Sequence, residues 1–326
     1  MFDKIALQPF HTLSRSYIVN CSTSPNPLFQ RVFSKSDFTH HELYSTIPQE
    51  FEALKSIEHP GLVPYTKIAA SQNNILLERP YIQGESLNSL ISRCGANTFE
   101  GAQYLSSLII DAVYTIHKIN RPLMSLSLNN IIVTQNSEIK LVDFGISSIA
   151  IDSNGTKDDL LSFLSLGPEG ITSGKRETSV QLDIWNLGVV IFAVFCGYLP
   201  FAANNAMAIV QSIINNEVVF PGSGKMKNYS KIDAKIEKLI KSMLNPDPLK
   251  RPTITEVKKT IGRLRKGQEL PANSYTTGFP TVLPFQERSM DGAERECAVI
   301  KMSSRSLPGF GGLSKARRAK IHSSVE

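Results

Sequence analysis

The stretch from Leu123 to Gly145, LMSLSLNNIIVTQNSEIKLVDFG, constrains the fold of this chain more than any other. Asn130 precedes an apolar run, Ile131-Ile132-Val133, and a polar turn leads into a second strand, Glu138 to Val142, which ends in Asp143-Phe144-Gly145. Two short strands joined by a turn can bring an Asn and an Asp to one cation, because amide and carboxylate oxygens suit a hard ion such as Mg²⁺. The residues before Asn130 carry no matching chemistry: Leu123, Met124 and Ser125 are two apolar side chains and a hydroxyl.

The chain has 326 residues and is 41% hydrophobic, enough to bury one large core or two lobes and too apolar for a disordered protein. Cys21, Cys94, Cys196 and Cys297 are far apart in sequence and form no C-x-x-C pair, so neither a zinc site nor a disulfide framework is expected. The compartment expected is reducing and cytoplasmic. MFDKIALQPFHTL lacks the basic and apolar regions of a signal peptide, and Leu187 to Leu199 is too short for a membrane span. The net charge is +6, and residues 301–326 hold six basic residues against Glu326 alone. Basic residues concentrated in a tail, not on a folded face, argue against specific nucleic-acid binding.

Residues 1–80 read as a small sheet, with strands at Ser16 to Val19, Leu28 to Phe33 and Asn74 to Leu77, and one helix from Pro48 to Glu58. From Phe99 to His117 apolar residues recur at helical spacing, and LDIWNLGVVIFAVFCGYLPF from Leu182 reads as a buried helix. The Asn130 and Asp143-Phe144-Gly145 motifs resemble the catalytic and metal-binding loops of protein kinases, whose pattern is H-R-D-L-x-x-x-N followed by D-F-G. GYLPF and the helix after it are most similar to serine/threonine kinases of the calmodulin-dependent group. The resemblance covers about residues 10–264 and implies an α+β, bilobal fold. It comprises a small β-rich N-lobe with one main helix, about 1–80, and a larger, mainly helical C-lobe, about 87–264. Residues 265–326, rich in Pro, Ser, Gly and Arg, are expected to be a basic, disordered tail.

The resemblance also assigns roles, and several positions depart from them. Ser125 stands where the family has its catalytic base, and Ser127 where serine/threonine kinases carry a Lys aimed at the transferred phosphate. Met124 removes the Arg that reads a phosphorylated activation segment, so switching through Thr156 is not expected. No glycine occurs before Gly61, so the phosphate-cradling loop, placed here at Leu13 to Cys21, is absent. Counting back from Glu50 puts Arg31 at the nucleotide-binding Lys position and Phe29 against the adenine; a shorter connection would instead use Lys35. Nucleotide-contact candidates are therefore Arg31, Lys35, Glu50 and Ile132, and metal candidates Asn130 and Asp143. Glu50 with Arg31 reads as a structural ion pair. Asp183 would anchor the catalytic-loop backbone, Glu169 would pair with Arg251, and Leu54, Phe144 and Leu123 would stack into an apolar column.

The reading that fits both halves is a pseudokinase, a binding or scaffolding module for protein partners in signalling, with ATP and Mg²⁺ bound weakly or not at all. Two alternatives stay open. One is an active atypical serine/threonine kinase that uses Lys35 and a relocated carboxylate, for which Asp158-Asp159 is the candidate; the other is a non-hydrolysing ATP-binding switch. The cluster Lys315 to Lys320 is a candidate nuclear-localisation or acidic-lipid patch.

Overall fold

A computed structural model of the protein describes residues 2–6, 14–21, 26–35, 42–97, 99–147, 160–174, 178–201, 206–221 and 233–265. Thr156, Asp158, Asp159 and the tail from 266 onward lie outside the described residues.

The small lobe is built on an antiparallel sheet of five strands: β1 (Phe2–Ala6), β2 (Ser14–Cys21), β3 (Leu28–Ser34), β5 (Lys67–Ala70) and β6 (Asn74–Pro80), in the spatial order β1-β2-β3-β6-β5. Successive strand residues point to opposite faces. On β3 the buried set is Phe29, Arg31 and Phe33, and on β6 it is Ile75, Leu77 and Arg79. Helix α1 (Glu42–Leu54) closes this face, with Ile47 and Phe51 packed among Phe29, Phe33, Tyr65, Ile75, Leu77 and Ile146. It begins earlier and ends sooner than the Pro48 to Glu58 expected. The apolar spacing Ile47, Phe51, Leu54 extends the stripe upstream, and the chain leaves the helix in a turn where the Ile57 N–H bonds the Leu54 carbonyl.

A second departure concerns the first connection. The strand expected at Ser16 to Val19 extends over residues 14–21, through most of the region matched to the phosphate loop, and is paired on both sides with β1 and β3. The link between the first two strands is therefore residues 7–13, LQPFHTL, which contains no glycine and lies outside the described residues.

The large lobe is helical. Helix α2 (Leu87–Cys94) starts on an N-cap in which the Ser86 hydroxyl accepts from the Ser89 N–H. Helix α3 (Phe99–Lys118) matches the expected range within one residue. Helix α4 (Leu160–Ser173) precedes α5 (Val180–Cys196), which is buried on nearly all sides, as its unbroken apolar run requires. Helices α6 (Ala206–Ile214), α7 (Ala234–Met243) and α8 (Ile254–Arg265) complete the lobe. Between the lobes lies a small sheet in the order β4-β9-β8-β7, made from β4 (Leu62–Val63), β7 (Glu85–Ser86), β8 (Ile131–Val133) and β9 (Ile139–Val142). The hairpin β8–β9 carries the Asn130 and Asp143 motifs at its two ends.

Two features hold α4 against α5. At Gly167 the helix breaks with φ +62°, a left-handed conformation, and a Cβ there would lie 2.9 Å from both Leu182 and the Glu169 carboxylate. The break turns Glu169 toward Arg251, which donates to both its oxygens at 2.7 Å and also to the carbonyls of Asn245 and Gln181. The expected Glu169–Arg251 pair is thus present, bidentate and nearly buried, with the guanidinium carbon 5.1 Å from the Trp185 ring centroid. The Trp185 indole N–H in turn bonds the Leu164 carbonyl at 2.8 Å. Replacing Arg251 with Met leaves the Glu169 carboxylate without its partner, and urea denaturation is expected to show a loss of about 3–5 kcal/mol.

Candidate functional site

The site forms where the inner face of the small sheet meets the end of the β8–β9 hairpin. In the β3–β6 register Phe29 lies opposite Arg79 and Arg31 opposite Leu77, so the two arginines are diagonal neighbours on the same buried face. Two guanidinium groups this close repel one another and need an anion between them. Asp143 provides it.

The Asp143 carboxylate, 6% exposed, accepts from three side chains of the small lobe. Oδ2 takes an N–H from Arg31 at 2.8 Å, and Oδ1 takes the Arg79 Nε–H and the Tyr65 hydroxyl, each at 2.7 Å. Phe29, 7% exposed, lies beneath the Arg79 guanidinium, whose carbon is 3.9 Å from the ring centroid. Burial alone would raise the Asp143 carboxyl, but the charges of Arg79 and Arg31 and the bonds from Arg79 and Tyr65 outweigh it and hold the group well below the usual carboxylate range. The Tyr65 phenol moves the opposite way, upward, through burial and the neighbouring carboxylate.

The large-lobe side is a backbone frame. Asp183, on α5, accepts from the Leu123 N–H at 2.6 Å, the Met124 N–H at 3.1 Å and the His117 ring at 2.8 Å, which is the anchoring role expected of it. Burial pushes its carboxyl upward against these donors. Met124 and Asp143 both adopt left-handed backbone, at φ +67° and +58°. Non-glycine residues hold this conformation only where their surroundings fix it. Here the fixing bonds are those to Asp183 and one from the Ser125 hydroxyl to the Asp143 carbonyl. The Asn130 amide donates to the Ser125 carbonyl at 2.7 Å, and the Gly145 N–H bonds the Leu123 carbonyl at 2.7 Å. Leu54, Leu123 and Phe144 lie in one apolar cluster, as expected, and a Cβ on Gly145 would come within 2.1 Å of Leu54.

Two expectations need correction. Arg31 does not pair with Glu50; it turns to Asp143, and the Glu50 carboxylate accepts the Ser147 N–H at 3.0 Å. The reason is geometric, since the inward face of β3 aims Arg31 at the hairpin end, where the anion is. Lys35 is not at the site: β3 ends at Ser34, and the ammonium bonds the Ser71 carbonyl in an exposed turn at 2.7 Å. Asn130 donates its NH₂ to the Ser125 carbonyl, a bond that does not use its Oδ1, while the Asp143 carboxylate faces the arginines. Ile132 is half-buried on β8, paired with Ser86 and close against Gly84 where the lobes connect. Ser127, half-buried, flanks a hollow lined by Leu126, Leu128, Leu164, Asn186 and Val190.

Tyr65 and Arg79 were not foreseen. Arg79 had a signal in the alternation Ile75, Leu77, Arg79, which places a cation on the buried face of a strand. Tyr65 had none.

Compared with known proteins, residues 29–261 match the family described as the protein kinase domain. The chain belongs to the protein kinase domain family. It is 27% identical over 238 residues to CBL-interacting protein kinase 33 of Oryza sativa subsp. japonica, covering 71% of this chain and 50% of that protein. It is 26% identical to the cell cycle serine/threonine-protein kinase CDC5/MSD2 of Saccharomyces cerevisiae, over 68% of this chain and 30% of that protein. The chain thus spans half or less of the length of these relatives. Among solved structures, Rad53 1-466 in complex with AMP-PNP superposes with a TM-score of 0.64 at 19% identity, covering 79% of this chain and 64% of that one, a likeness of fold. No described helix is long and apolar enough to cross a membrane.

The family implies ATP and Mg²⁺, and the arrangement at Asp143 does not suit a bound cation. Both carboxylate oxygens are occupied by protein donors, and the guanidinium of Arg79 stands beside the oxygen a cation would need. Among the described residues no cluster of three or more His, Cys, Asp or Glu side chains offers another metal site.

The depressed Asp143 carboxyl has a definite consequence for stability. A group whose pKa is lower in the folded state than its unfolded value, about 3.9, contributes stability above that pH and loses it as the pH falls further. In urea denaturation the stability difference between wild type and Asp143→Asn is expected to be largest above about pH 5 and to shrink progressively below about pH 4.

Proposed function

We propose that this kinase-family domain is a pseudokinase: a binding, scaffolding or regulatory module for protein partners in signalling, with phosphoryl transfer absent or very weak. The observation that carries this reading is the occupation of Asp143 by Arg31, Arg79 and Tyr65. Phosphoryl transfer is almost entirely positioning and charge stabilisation, and the metal held by this Asp is central to both.

The remaining positions support the same conclusion. Ser125 has no charge with which to accept a proton, and its hydroxyl is already committed to the Asp143 carbonyl. Absence of a positioned base costs about 10²–10⁴-fold in rate. Ser127 supplies no cation, and the first strand connection has no glycine that would let backbone amides approach a phosphate. The folding framework is nevertheless retained in Asp183, Glu169, Arg251 and the apolar column. Retention of the frame without the chemistry suits a protein that acts through its surfaces. Several of the relatives are named for interaction with a protein partner, CBL, and recognition of a protein is a task that needs no transfer step. A cytoplasmic location, with the basic 301–326 segment available for nuclear or acidic-lipid contacts, accords with this reading.

Thermal denaturation with ATP, with and without Mg²⁺, is expected to show no shift in melting temperature, and a radiolabelled transfer assay no incorporation. A Mg²⁺-dependent rise in melting temperature without transfer would favour a nucleotide switch, and transfer that disappears in Asp143→Ala would overturn the proposal.

A further inference from the structure

The geometry points to Arg79 as a built-in cation that clasps the two lobes through Asp143, so that they are held to one another without nucleotide. The inference touches the preceding reading only in that the clasp and a metal-bound nucleotide would compete for the same carboxylate oxygens.

The argument starts from where each group is rooted. Arg79 is on β6, Arg31 on β3 and Tyr65 just before β5, all in the small lobe. Asp143 directly follows β9, and its backbone is tied to the large lobe by the Ser125 hydroxyl. A continuous polar line therefore runs from the Arg79 Nε–H to the Asp143 side chain, and from the Asp143 carbonyl through Ser125 to the Asn130 amide. Beside it, the Glu50 carboxylate on α1 holds the Ser147 N–H, and Leu54 closes over Gly145. Breaking the first link removes the directed bond to Oδ1 and loosens the segment that positions α1, while Arg31 and Tyr65 still reach the carboxylate.

Arg79 has the features such a clasp needs. It is 5% exposed, and its Nε–H is directed at Oδ1 at 2.7 Å. One face of its guanidinium is covered by Phe29, and a second donor reaches the Pro80 carbonyl at 3.2 Å. Stacking and two bonds fix the planar group, which restricts it to one direction; a compact ammonium would lack both the stacking and the fork. Repulsion between Arg79 and Arg31 opposes any state in which Asp143 withdraws, since the anion is what lets them share one face. The clasped arrangement is thereby favoured by charge as well as by hydrogen bonding.

The test is hydrogen exchange on the full chain, without nucleotide, for wild type, Arg79→Leu, Asp143→Asn and the double variant. The amides of Gly145 and Ser147 report the segment, and those of α5 serve as the reference. Each single variant is expected to speed exchange at Gly145 and Ser147 by about tenfold or more, the effect of losing a charge-assisted bond in a local opening, with α5 unchanged. The double variant should be no faster than Asp143→Asn alone, because that substitution already disturbs the bond that Arg79→Leu removes. Wild-type exchange at these amides in Arg79→Leu, or effects that multiply in the double variant, would overturn the clasp. Should Arg79→Leu fail to fold, Arg79→Lys keeps the charge and loses the stacking and the directed Nε–H: faster exchange confined to Gly145 and Ser147 supports the clasp, and unchanged exchange rejects it. Because no nucleotide is present, this result is independent of the thermal-shift outcome above.

Discussion

A single carboxylate, that of Asp143, sits among two guanidinium groups and a phenol, and the relation between the two lobes depends on it. Burying a charge is costly, and burying two like charges on one face of a sheet is costlier still. The cost is offset only because the anion is reached from several directions at once: by Arg31 on one oxygen, and by Arg79 and Tyr65 on the other. Phe29 completes the arrangement by covering Arg79, and so occupies with an aromatic ring the region where the family resemblance places an adenine. The same side chains that join the lobes direct their donors at the Asp143 oxygens.

The large lobe shows how independent the kinase framework is of kinase chemistry. Asp183 still fixes the left-handed turn at Met124, though neither the His nor the Asp of the motif remains, because its partners are backbone N–H groups that any side chain leaves in place. Leu123 replaces a polar ring with an apolar one-for-one packing unit and stays within the column from Leu54 to Phe144. Glu169 and Arg251 keep α4 against α5 by a pair whose loss would strand a charge. Each of these interactions stabilises the fold whether or not phosphate is transferred.

Much of the architecture was legible in the sequence because it rests on local patterns. The period of α3, the unbroken apolar run of α5, the alternation in β3 and β6 and the hairpin ending in Asp143-Phe144-Gly145 each reflect a backbone geometry that recurs at fixed spacing. Boundaries were less secure. The start of α1 moved upstream to Glu42 since Ile47 belongs to its buried stripe, and the strand expected at Ser16 to Val19 lengthens to residues 14–21 because it has pairing partners on both sides. Gly167 shows the opposite relation: its identity becomes intelligible only once its left-handed backbone and its closeness to Leu182 are seen.

The sequence by itself determined the family resemblance, the missing base at Ser125 and the survival of the apolar and Asp183 frame, because these are properties of residue identity at a given spacing. Which cation faces which anion was decided by the tertiary structure alone. Arg31 has Glu50 as a plausible partner in sequence terms, and Arg79 has none, yet both meet Asp143 because the pairing of β3 with β6 brings residues 48 positions apart to adjacent places on one face. Electrostatic attraction between buried groups depends on distance and burial, and neither can be counted along a chain. Asp143 thus changed from the last remnant of a metal site to the centre of an ion cluster, without any change in the residues that the sequence had already named.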